Sequence, residues 1–422
     1  MSSGKSSCIA IPSLLAWRDS VFAIDIKGEL YENTKNQRRN IRVFNPTVPN
    51  AWGYNPFHLL DYADENQAQD AETIARALVP MPADVKEPFW IKGAQDMLTA
   101  AILHYYNDNK TFIQTLTEIL SKSATELVNV IQQSQNINAR FYIGGFVGAD
   151  VKYLSGVFME LRQHITVYVT DKNLYDSLSK LNHSIKPEDL EKGIDIYIQI
   201  PEHLLEQWKN LLTLIVKQFL THFQKRPIAT SQTPIPPILF LLDEFARLGK
   251  IEGITDALAT LRSKKVTICM LLQNLSQLDV TYGEKSRDDI IGTCSYQAVL
   301  RVTDLKTQKY FSEKTGTYDR EKTTDSINRN ILGIKTGTGT SKTTEERKKI
   351  KHEEFGIMSG VVLFAQFAPG FFKIDRAPYW EHGANPHQNT PNAGLYGKGV
   401  KQFQKRQEKA QKKLQKQQKK RA

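Results

Sequence analysis

The sequence predicts an α/β fold in which helices flank a mostly parallel sheet and an all-α domain is inserted. The first observation is that short apolar strand patterns alternate with helical patterns between residues 238 and 302, as in chains that build parallel sheets. The second is nearly unbroken helical spacing over residues 88–183. The third is composition: 422 residues, 40% hydrophobic and 24% charged, are enough for a sizeable core.

The predicted elements begin with a helix over residues 6–15 and a buried strand over residues 20–26, where Val-Phe-Ala-Ile is a short apolar run. Helical spacing predicts further helices at residues 65–79, 89–106, 112–120, 125–133, 153–169, 202–223, 254–262 and 287–293. Apolar runs predict further strands at residues 194–200, 238–242, 266–272, 296–302, 361–367 and 371–374. The Gly-, Thr- and charge-rich stretch 317–351 is predicted to be a mobile loop.

These patterns divide the chain into four segments. Residues 1–86 and 184–380 are predicted to form two parts of one α/β domain, residues 87–183 the all-α domain, and residues 381–422 a disordered basic tail. From residue 398 onward the tail has eleven Lys or Arg against one acid, so most of the net charge of +11 lies there. This argues against a basic groove across the whole fold. The tail is a solvated charge run, or it contacts nucleic acid, an acidic partner or anionic lipid.

Composition also excludes some classes of protein. No apolar run approaches the roughly 18 residues of a membrane-spanning helix, and the N-terminus lacks the pattern of a secretory signal. Cys8, Cys269 and Cys294 are odd in number and widely spaced, so they support neither a disulfide framework nor a zinc site. This cysteine usage fits a reducing cytoplasm.

The N-terminus carries half of a phosphate-binding motif. Ser3-Gly4-Lys5-Ser6 is the second half of G-x-x-x-x-G-K-[ST], in which backbone N–H groups and the Lys hold phosphates and the Ser reaches Mg²⁺. Gly4, Lys5, Ser6 and Ser7 are therefore candidate nucleotide-binding residues, and Ser6 is also a candidate Mg²⁺ ligand. The first glycine of the motif would precede Met1. A solvated, flexible N-terminus is the alternative.

Two adjacent carboxylates follow the predicted strand 238–242. Asp243 and Glu244 stand at its carboxyl end, where open α/β sheets place their ligand sites. Asp243 is a candidate to hold Mg²⁺ through water, and Glu244 to orient or deprotonate an attacking water. A helix-capping acid in a turn is the alternative. Gln273 ends the next predicted strand, so its amide is a candidate to reach the γ-phosphate or the water.

Several separated motifs carry a resemblance to one family. The main ones are Asp243-Glu-Phe-Ala-Arg-Leu-Gly-Lys250 and Gln273-Asn-Leu-Ser-Gln-Leu278, followed by Tyr282-Gly283. Supporting matches are Asp25-Ile-Lys-Gly-Glu29, Tyr54-Asn-Pro-Phe57 and Pro88-Phe-Trp90. In this order the sequence resembles the TraG-type coupling proteins of type IV secretion and conjugation, from Gly4 to about Tyr379.

The resemblance implies a RecA-like ATPase domain interrupted by an all-α domain and assembled as a homo-hexamer on the cytoplasmic face of the bacterial inner membrane. It implies ATP and Mg²⁺ as cofactors. It also implies that relaxase-bound single-stranded DNA, or protein substrates, are delivered to the proteins of a type IV secretion channel. By position, Lys5 would bind the phosphates, Ser6 and Asp243 would place Mg²⁺, and Glu244 would activate water.

Two further residues complete the catalytic set that the resemblance implies. Gln273 would sense the γ-phosphate. Arg262, nineteen residues after Asp243, matches the arginine that such proteins offer to the neighbouring subunit's nucleotide. A guanidinium supplied in this way neutralises transition-state charge and contributes about 10³ to 10⁵ in rate. The alternative for Arg262 is a surface cation at a helix C-terminus, beside Lys264 and Lys265, where the helix dipole favours positive charge.

The sequence departs from the family at its start. Members begin with membrane helices, a strand and the whole phosphate loop, none of which precedes Ser3 here. We therefore expect either a degenerate copy or a fragment with impaired nucleotide binding whose membrane anchor lies in a missing N-terminal segment. Two other functions stay open: a chromosomal DNA translocase or packaging ATPase of the same superfamily, and a non-hydrolysing adaptor that recruits substrates.

Overall fold

The computed structural model describes residues 4–61, 66–82, 85–230, 235–329 and 335–382. The chain separates into two units. The larger unit contains residues 5–272 and 280–293 together with the described residues from 377 onward, and the smaller unit contains Gly4 with residues 273–279 and 294–376. From residue 383 onward the predicted basic tail lies outside the described residues.

The strands of the larger unit confirm the predicted mostly parallel sheet. They are β1 Ser20–Ile24, β2 Ile41–Phe44, β3 Gly53–Tyr54, β4 Ser184–Ile185, β5 Asp195–Ile198, β6 Ile238–Leu242 and β7 Val266–Met270. Five of them form one parallel sheet in the order β2-β5-β1-β6-β7, and β3 pairs with β4 separately. Every residue of β1, β5 and β6 is buried, as is typical of parallel strands covered on both faces.

The helices of the larger unit follow the predicted order. They are α1 Ile11–Ala16, α2 Glu29–Thr34, α3 Gln67–Leu78, α4 Pro88–Asn107, α5 Phe112–Leu120, α6 Ala124–Gln132, α7 Ile137–Gly144, α8 Val151–Thr170, α9 Lys172–Leu178, α10 Pro187–Glu191, α11 Leu205–Lys225, α12 Ile254–Thr260, α13 Ser276–Tyr282, which begins in the smaller unit, and α14 Glu284–Thr293. Helices α4 to α9 form the predicted helical insert between β3 and β4. Whether this insert is a separate domain with the predicted boundaries stays a prediction.

Aromatic residues form the centre of the larger unit. Phe22 of β1 packs against Phe240 of β6, with ring centroids 4.8 Å apart, and against Phe219 of α11, at 4.7 Å. The long helix α11 also buries Trp208 completely. Large buried rings contribute most of the apolar area of a core, so α11 fixes one face of the parallel sheet.

The smaller unit contains two antiparallel sheets. Its elements are β8 Tyr296–Val299, α15 Leu305–Lys314, β9 Thr317–Arg329, β10 Lys335–Lys348, α16 His352–Ile357, β11 Val361–Ala365 and β12 Phe372–Ile374. One sheet has the order β12-β11-β8, which confirms the predicted hairpin over residues 361–374. The predicted strand at 296–302 exists, but it pairs in this antiparallel sheet.

The mobile loop predicted at residues 317–351 is wrong. Strands β9 and β10 pair there as a long antiparallel hairpin, with Lys348 opposite Thr317 at one end and Lys335 opposite Arg329 at the other. The stretch lacks the apolar alternation by which strands are recognised, but its many threonines have the branched side chains that strands favour. The Gly-rich sequence Gly337–Lys342, which imitates a phosphate loop, lies within β10.

None of the helices in the described residues is long and apolar enough to cross a bilayer.

Candidate nucleotide site

Polar residues from three neighbouring strands meet at the carboxyl edge of the parallel sheet. Asp25 follows β1, Gln199 follows β5 and Asp243 follows β6. The register of β1 against β5 and β6 aligns the last residues of these strands, and Gln199 donates a 3.3 Å hydrogen bond to Asp25. Ligands of open α/β sheets bind at this edge, so the fold brings the predicted acid to a suitable place.

The turn after β6 holds two buried acids side by side. Glu244 has a left-handed backbone conformation with φ of 50°, which is uncommon for a residue other than glycine. Its N–H donates a 3.0 Å hydrogen bond to Asp243 Oδ1, and Asp243 and Glu244 are each 5% exposed. Such backbone strain costs of order 1–3 kcal/mol and is concentrated at functional sites.

Lys5 lies beside this acidic pair. Its Nζ is 3.8 Å from Glu244 Oε1, an ion pair longer than a hydrogen bond. Within the part of the chain that the structure describes, this buried Nζ has no hydrogen-bond partner. Because a buried polar group without a partner is unfavourable, the Lys5 ammonium is suited to bind an anion such as a phosphate.

Burial and charge shift the pKa values of this cluster. Burial lowers the pKa of Lys5, and the negative charges of Glu244 and Asp243 oppose that shift. Burial, followed by the charge of Glu244, raises the pKa of Asp243 to about 6, and Lys5 opposes this shift. One lysine therefore faces two crowded carboxyl groups, a charge pattern that favours a divalent cation near Asp243.

The helix after Lys5 anchors the candidate loop to the sheet. Ser6–Ala10 form a π-helical turn that runs directly into α1, and π turns are rare and often lie at functional sites. Apolar side chains of this helix are buried against β1, β5 and β6. Gly4 precedes it with φ of 84°, a backbone conformation that glycine adopts at little cost.

Arg38 fixes the far end of α1, a role that the sequence did not indicate. Its guanidinium donates hydrogen bonds to the carbonyls of Leu14, at 2.7 Å, and Trp17, at 2.8 Å. It also forms a two-pronged contact with Asp195, at 2.6 and 2.9 Å. Since Asp195 is 157 residues away in the chain, no local pattern could have revealed this clamp.

The structure leaves the remaining predicted roles at the loop untested. Ser6 and Ser7 are half-buried in the π turn. The carbonyl of Ser6 accepts the N–H of Ile11, and Ser7 Oγ lies 3.7 Å from Cys8 Sγ. Nucleotide binding by Gly4, Ser6 and Ser7, and Mg²⁺ binding by Ser6, stay predictions.

The structure does not test the predicted roles of Arg262 and Gln273. Arg262 is exposed in a short 3-10 turn, Leu261–Lys264, that continues α12. Gln273 belongs to the smaller unit, where its N–H donates a 3.4 Å hydrogen bond to the Gln277 side chain. Their catalytic roles therefore stay predictions.

Asp25 lies at the same edge of the sheet as Asp243, and the sequence indicated no role for it. It is 1% exposed and accepts the N–H groups of Leu30, at 3.1 Å, and Tyr31, at 2.8 Å, at the start of α2. Burial raises the pKa of Asp25, which its hydrogen bonds oppose. Its position directly after an apolar strand is the same signal that identified Asp243, so this signal could have found it.

The residues present fit a magnesium nucleotide. The Lys5 ammonium provides a buried cation with unused N–H donors, and the Asp243 and Glu244 carboxylates provide the hard oxygen ligands and the base that Mg²⁺ and water require. When bound, the metal would neutralise phosphate charge.

Asp243→Asn is expected to raise the free energy of unfolding at pH 8 by up to about 3 kcal/mol. The pKa of Asp243 rises from 3.8 to about 6 on folding, so the stability it contributes is complete below pH 3.8 and lost as the pH rises through 6. Asparagine removes this loss and keeps an oxygen for the Glu244 N–H. Urea unfolding at pH 8 and near pH 4 would show a gain at the higher pH alone. An equal gain in stability at both pH values, or the same gain in the exposed variant Asp176→Asn, would show that the raised pKa of Asp243 is not the cause.

Comparison with known proteins shows which family the chain belongs to. A family model described as type IV secretory system conjugative DNA transfer matches residues 2–421. Protein VirD4 of Rhizobium rhizogenes is 27% identical over 328 residues, covering 75% of this chain and 48% of that protein. Conjugal transfer protein TraG of Rhizobium radiobacter is 23% identical over 330 residues, covering 74% and 50%.

A solved structure supports the fold. Plasmid coupling protein TrwB in complex with a non-hydrolysable ATP analogue has a TM-score of 0.69 and 16% identity, covering 89% of this chain and 83% of that one. The parallel sheet with flanking helices is thus a TrwB-like α/β fold. The chain belongs to the type IV secretory coupling proteins of conjugative DNA transfer, together with VirD4 and TraG. It spans about half the length of the curated relatives it matches.

Proposed function

We propose that this chain is the ATP-hydrolysing part of a coupling protein that uses ATP and Mg²⁺ to deliver DNA to a type IV secretion channel. The observation that carries the proposal is the buried cluster of Lys5, Asp243 and Glu244 at the carboxyl edge of the sheet. A phosphate-binding cation beside a carboxylate pair is the arrangement that phosphoryl transfer needs. Family membership adds conjugative DNA transfer as the process that hydrolysis drives.

The proposal gives each residue of the cluster a separate task. Lys5 exchanges its long ion pair with Glu244 for contacts to phosphate oxygens, while the N–H groups from Gly4 to Ser7 contact the same phosphates. Ser6 and Asp243 hold Mg²⁺. Glu244, released from Lys5, orients the attacking water and accepts its proton.

The proposal also includes the assembly and its partners. Subunits form a homo-hexamer on the cytoplasmic face of the inner membrane, with Arg262 contacting the neighbour's nucleotide and Gln273 sensing the γ-phosphate. The cargo is relaxase-bound single-stranded DNA, or a protein substrate. The exposed position of Arg262 supports this arrangement, because a residue that acts across an interface must be free to leave its own subunit's surface.

We propose further that these 422 residues bind nucleotide weakly. They contain Lys5 and Ser6 but only the second half of the N–H donors that surround phosphates in a complete loop. Binding of a fluorescent ATP analogue to this chain, and to a version with the loop completed ahead of Met1, measures the contribution of the first half. Equal affinity in the two proteins would refute the proposed impairment.

Lys5→Gln tests the nucleotide site directly. Loss of one charge-assisted contact to phosphate is expected to weaken binding of the analogue by about 10- to 100-fold, from about 1.5–3 kcal/mol for a hydrogen bond to a charged group. Lys35→Gln is the matched control, since Lys35 is a surface lysine that pairs with Glu32. Unchanged affinity in Lys5→Gln would rule out this site. Tight binding without turnover in the unmodified chain would instead favour the non-hydrolysing adaptor.

A further inference from the structure

A second charged site lies in a cleft of the larger unit, with a cavity volume of about 610 Å³. Its walls are α3, α11 and the residues that follow Glu244, from Ala246 to Glu252. The charged residues that line it are five cations, Arg76, Lys209, Lys217, Arg247 and Lys250, and three acids, Glu72, Glu206 and Glu252. The cleft therefore has a positive excess, whereas the body of the chain is close to neutral.

Three of these cations have carboxylate partners. Arg76 lies 2.6 Å from Glu72 and 3.9 Å from Glu252. Lys209 pairs with Glu206. Arg247 pairs at 2.7 Å with Glu202, which lies just before α11 in the chain. With Glu202 counted, four acids pair with three of the five cations, so the positive excess that remains lies on the other two cations, Lys217 and Lys250.

Lys217 and Lys250 form no ion pair with any residue that the structure describes. Lys217 is half-buried on α11. Burial lowers its pKa, and the charges of Glu252 and Asp256 oppose this without contacting it. The backbone of Gly253 passes so close that a Cβ there would lie 3.2 Å from Lys217 Nζ. A cation held in a cleft without a contacting acid favours an anionic ligand.

We propose that this cleft binds phosphate groups of the transferred DNA strand, with Lys217 and Lys250 as the charged contacts. Lysine ammonium and side-chain amide groups are among the donors that usually contact DNA phosphates. Asn210, whose amide has two N–H donors and gives one to the carbonyl of Leu78, lines the same cleft. The inference rests on the proposed function, which supplies DNA as the cargo. It adds a site for that cargo, built from residues outside the nucleotide cluster.

The cleft also connects with the candidate base. The N–H of Arg247 donates a 2.7 Å hydrogen bond to the carbonyl of Glu244, and Thr213 of α11 donates to the carbonyl of Leu248. A DNA phosphate in the cleft would therefore contact the same short turn, Phe245–Leu248, that follows the strained Glu244. Cargo binding and the position of the Glu244 carboxylate then depend on one segment.

The test is the salt dependence of binding to a fluorescein-labelled single-stranded oligonucleotide, measured by anisotropy with the full chain. Each phosphate contact contributes about 0.7 to the slope of log affinity against log salt. The double variant Lys217→Gln/Lys250→Gln is expected to reduce that slope by about 1.4. The matched control Lys35→Gln/Lys172→Gln removes two surface lysines that pair with Glu32 and Asp176, and its slope is expected to match that of the parent. Lys217→Arg/Lys250→Arg should retain the parent slope.

Three outcomes would overturn the inference. They are an unchanged slope in Lys217→Gln/Lys250→Gln, an equal decrease of the slope in the control, or a Lys217→Gln/Lys250→Gln variant that loses binding to poly-glutamate while its DNA binding stays that of the parent. Thermal unfolding identifies any variant that fails to fold, and the arginine variant then decides the question. Failure of the proposed function has a different signature. Lys5→Gln should lose nucleotide affinity with its DNA slope intact, whereas Lys217→Gln/Lys250→Gln should keep nucleotide affinity.

Discussion

Glu244→Gln is expected to lower ATP turnover by about 10² to 10⁴, the usual contribution of a general base, while nucleotide binding remains. The amide has the size of the carboxylate and fits the same buried turn, but it does not accept a proton from water. Removing the negative charge also removes the ion pair with Lys5, 3.8 Å away. The Lys5 ammonium is then held less strongly by the protein, so affinity for ATP should stay equal or increase.

The assay uses the chain with its loop completed ahead of Met1, so that weak binding does not hide a loss of turnover. Phosphate release gives the turnover number and a fluorescent ATP analogue gives the affinity. Glu202→Gln is the control, because Glu202 is an exposed glutamate paired with Arg247. Turnover of Glu244→Gln within twofold of the parent would remove Glu244 as the base. A parallel loss of binding and turnover would mean that Glu244 instead maintains the structure of the site.

The fold was largely predictable because its signals are local. Helices α5 and α6 each begin with a reciprocal capping box, Thr111 with Gln114 and Ser123 with Glu126, which is legible in the sequence itself. The central strands are short apolar runs. The hairpin of β9 and β10 was missed because it lacks such a local signal. Its stability comes from pairing across the strands and not from an apolar pattern.

The sequence indicated candidate residues for the site, but it indicated neither their backbone conformation nor their pKa values. A lysine after Gly4 and two acids after an apolar strand made Lys5, Asp243 and Glu244 candidates. The structure brings Lys5 and Glu244 to an ion pair, and their roles at a nucleotide stay predictions. The left-handed conformation of Glu244 and the raised pKa of Asp243 depend on burial by distant segments. Arg38 and the cleft at Lys217 likewise depend on contacts that close only in three dimensions.

Arg262→Ala is expected to reduce turnover by about 10³ to 10⁵ if Arg262 acts on the neighbouring subunit's nucleotide. Within one subunit Arg262 is exposed, and no ion pair with another described residue holds its guanidinium. Its backbone is fixed, because the neighbouring Leu261 is 1% exposed and the carbonyl of Arg262 accepts the N–H of Lys265 at 3.1 Å. A fixed backbone that carries a guanidinium without an ion pair suits a contact across an interface. The alternative, a cation favoured by a helix dipole, predicts almost no effect on turnover.

Mixed assemblies separate action across the interface from action within a subunit. An Arg262→Ala subunit keeps Lys5 and Glu244, and a Glu244→Gln subunit keeps Arg262, so a neighbouring pair of the two contains one complete site. Turnover should therefore reappear on mixing two inactive proteins and should be greatest near equal amounts. Lys264→Ala, which removes an adjacent cation, should keep parental turnover alone. If no mixing ratio restores activity while both variants still assemble, Arg262 does not act on the neighbouring subunit. Catalysis would then give no reason to expect a homo-hexamer.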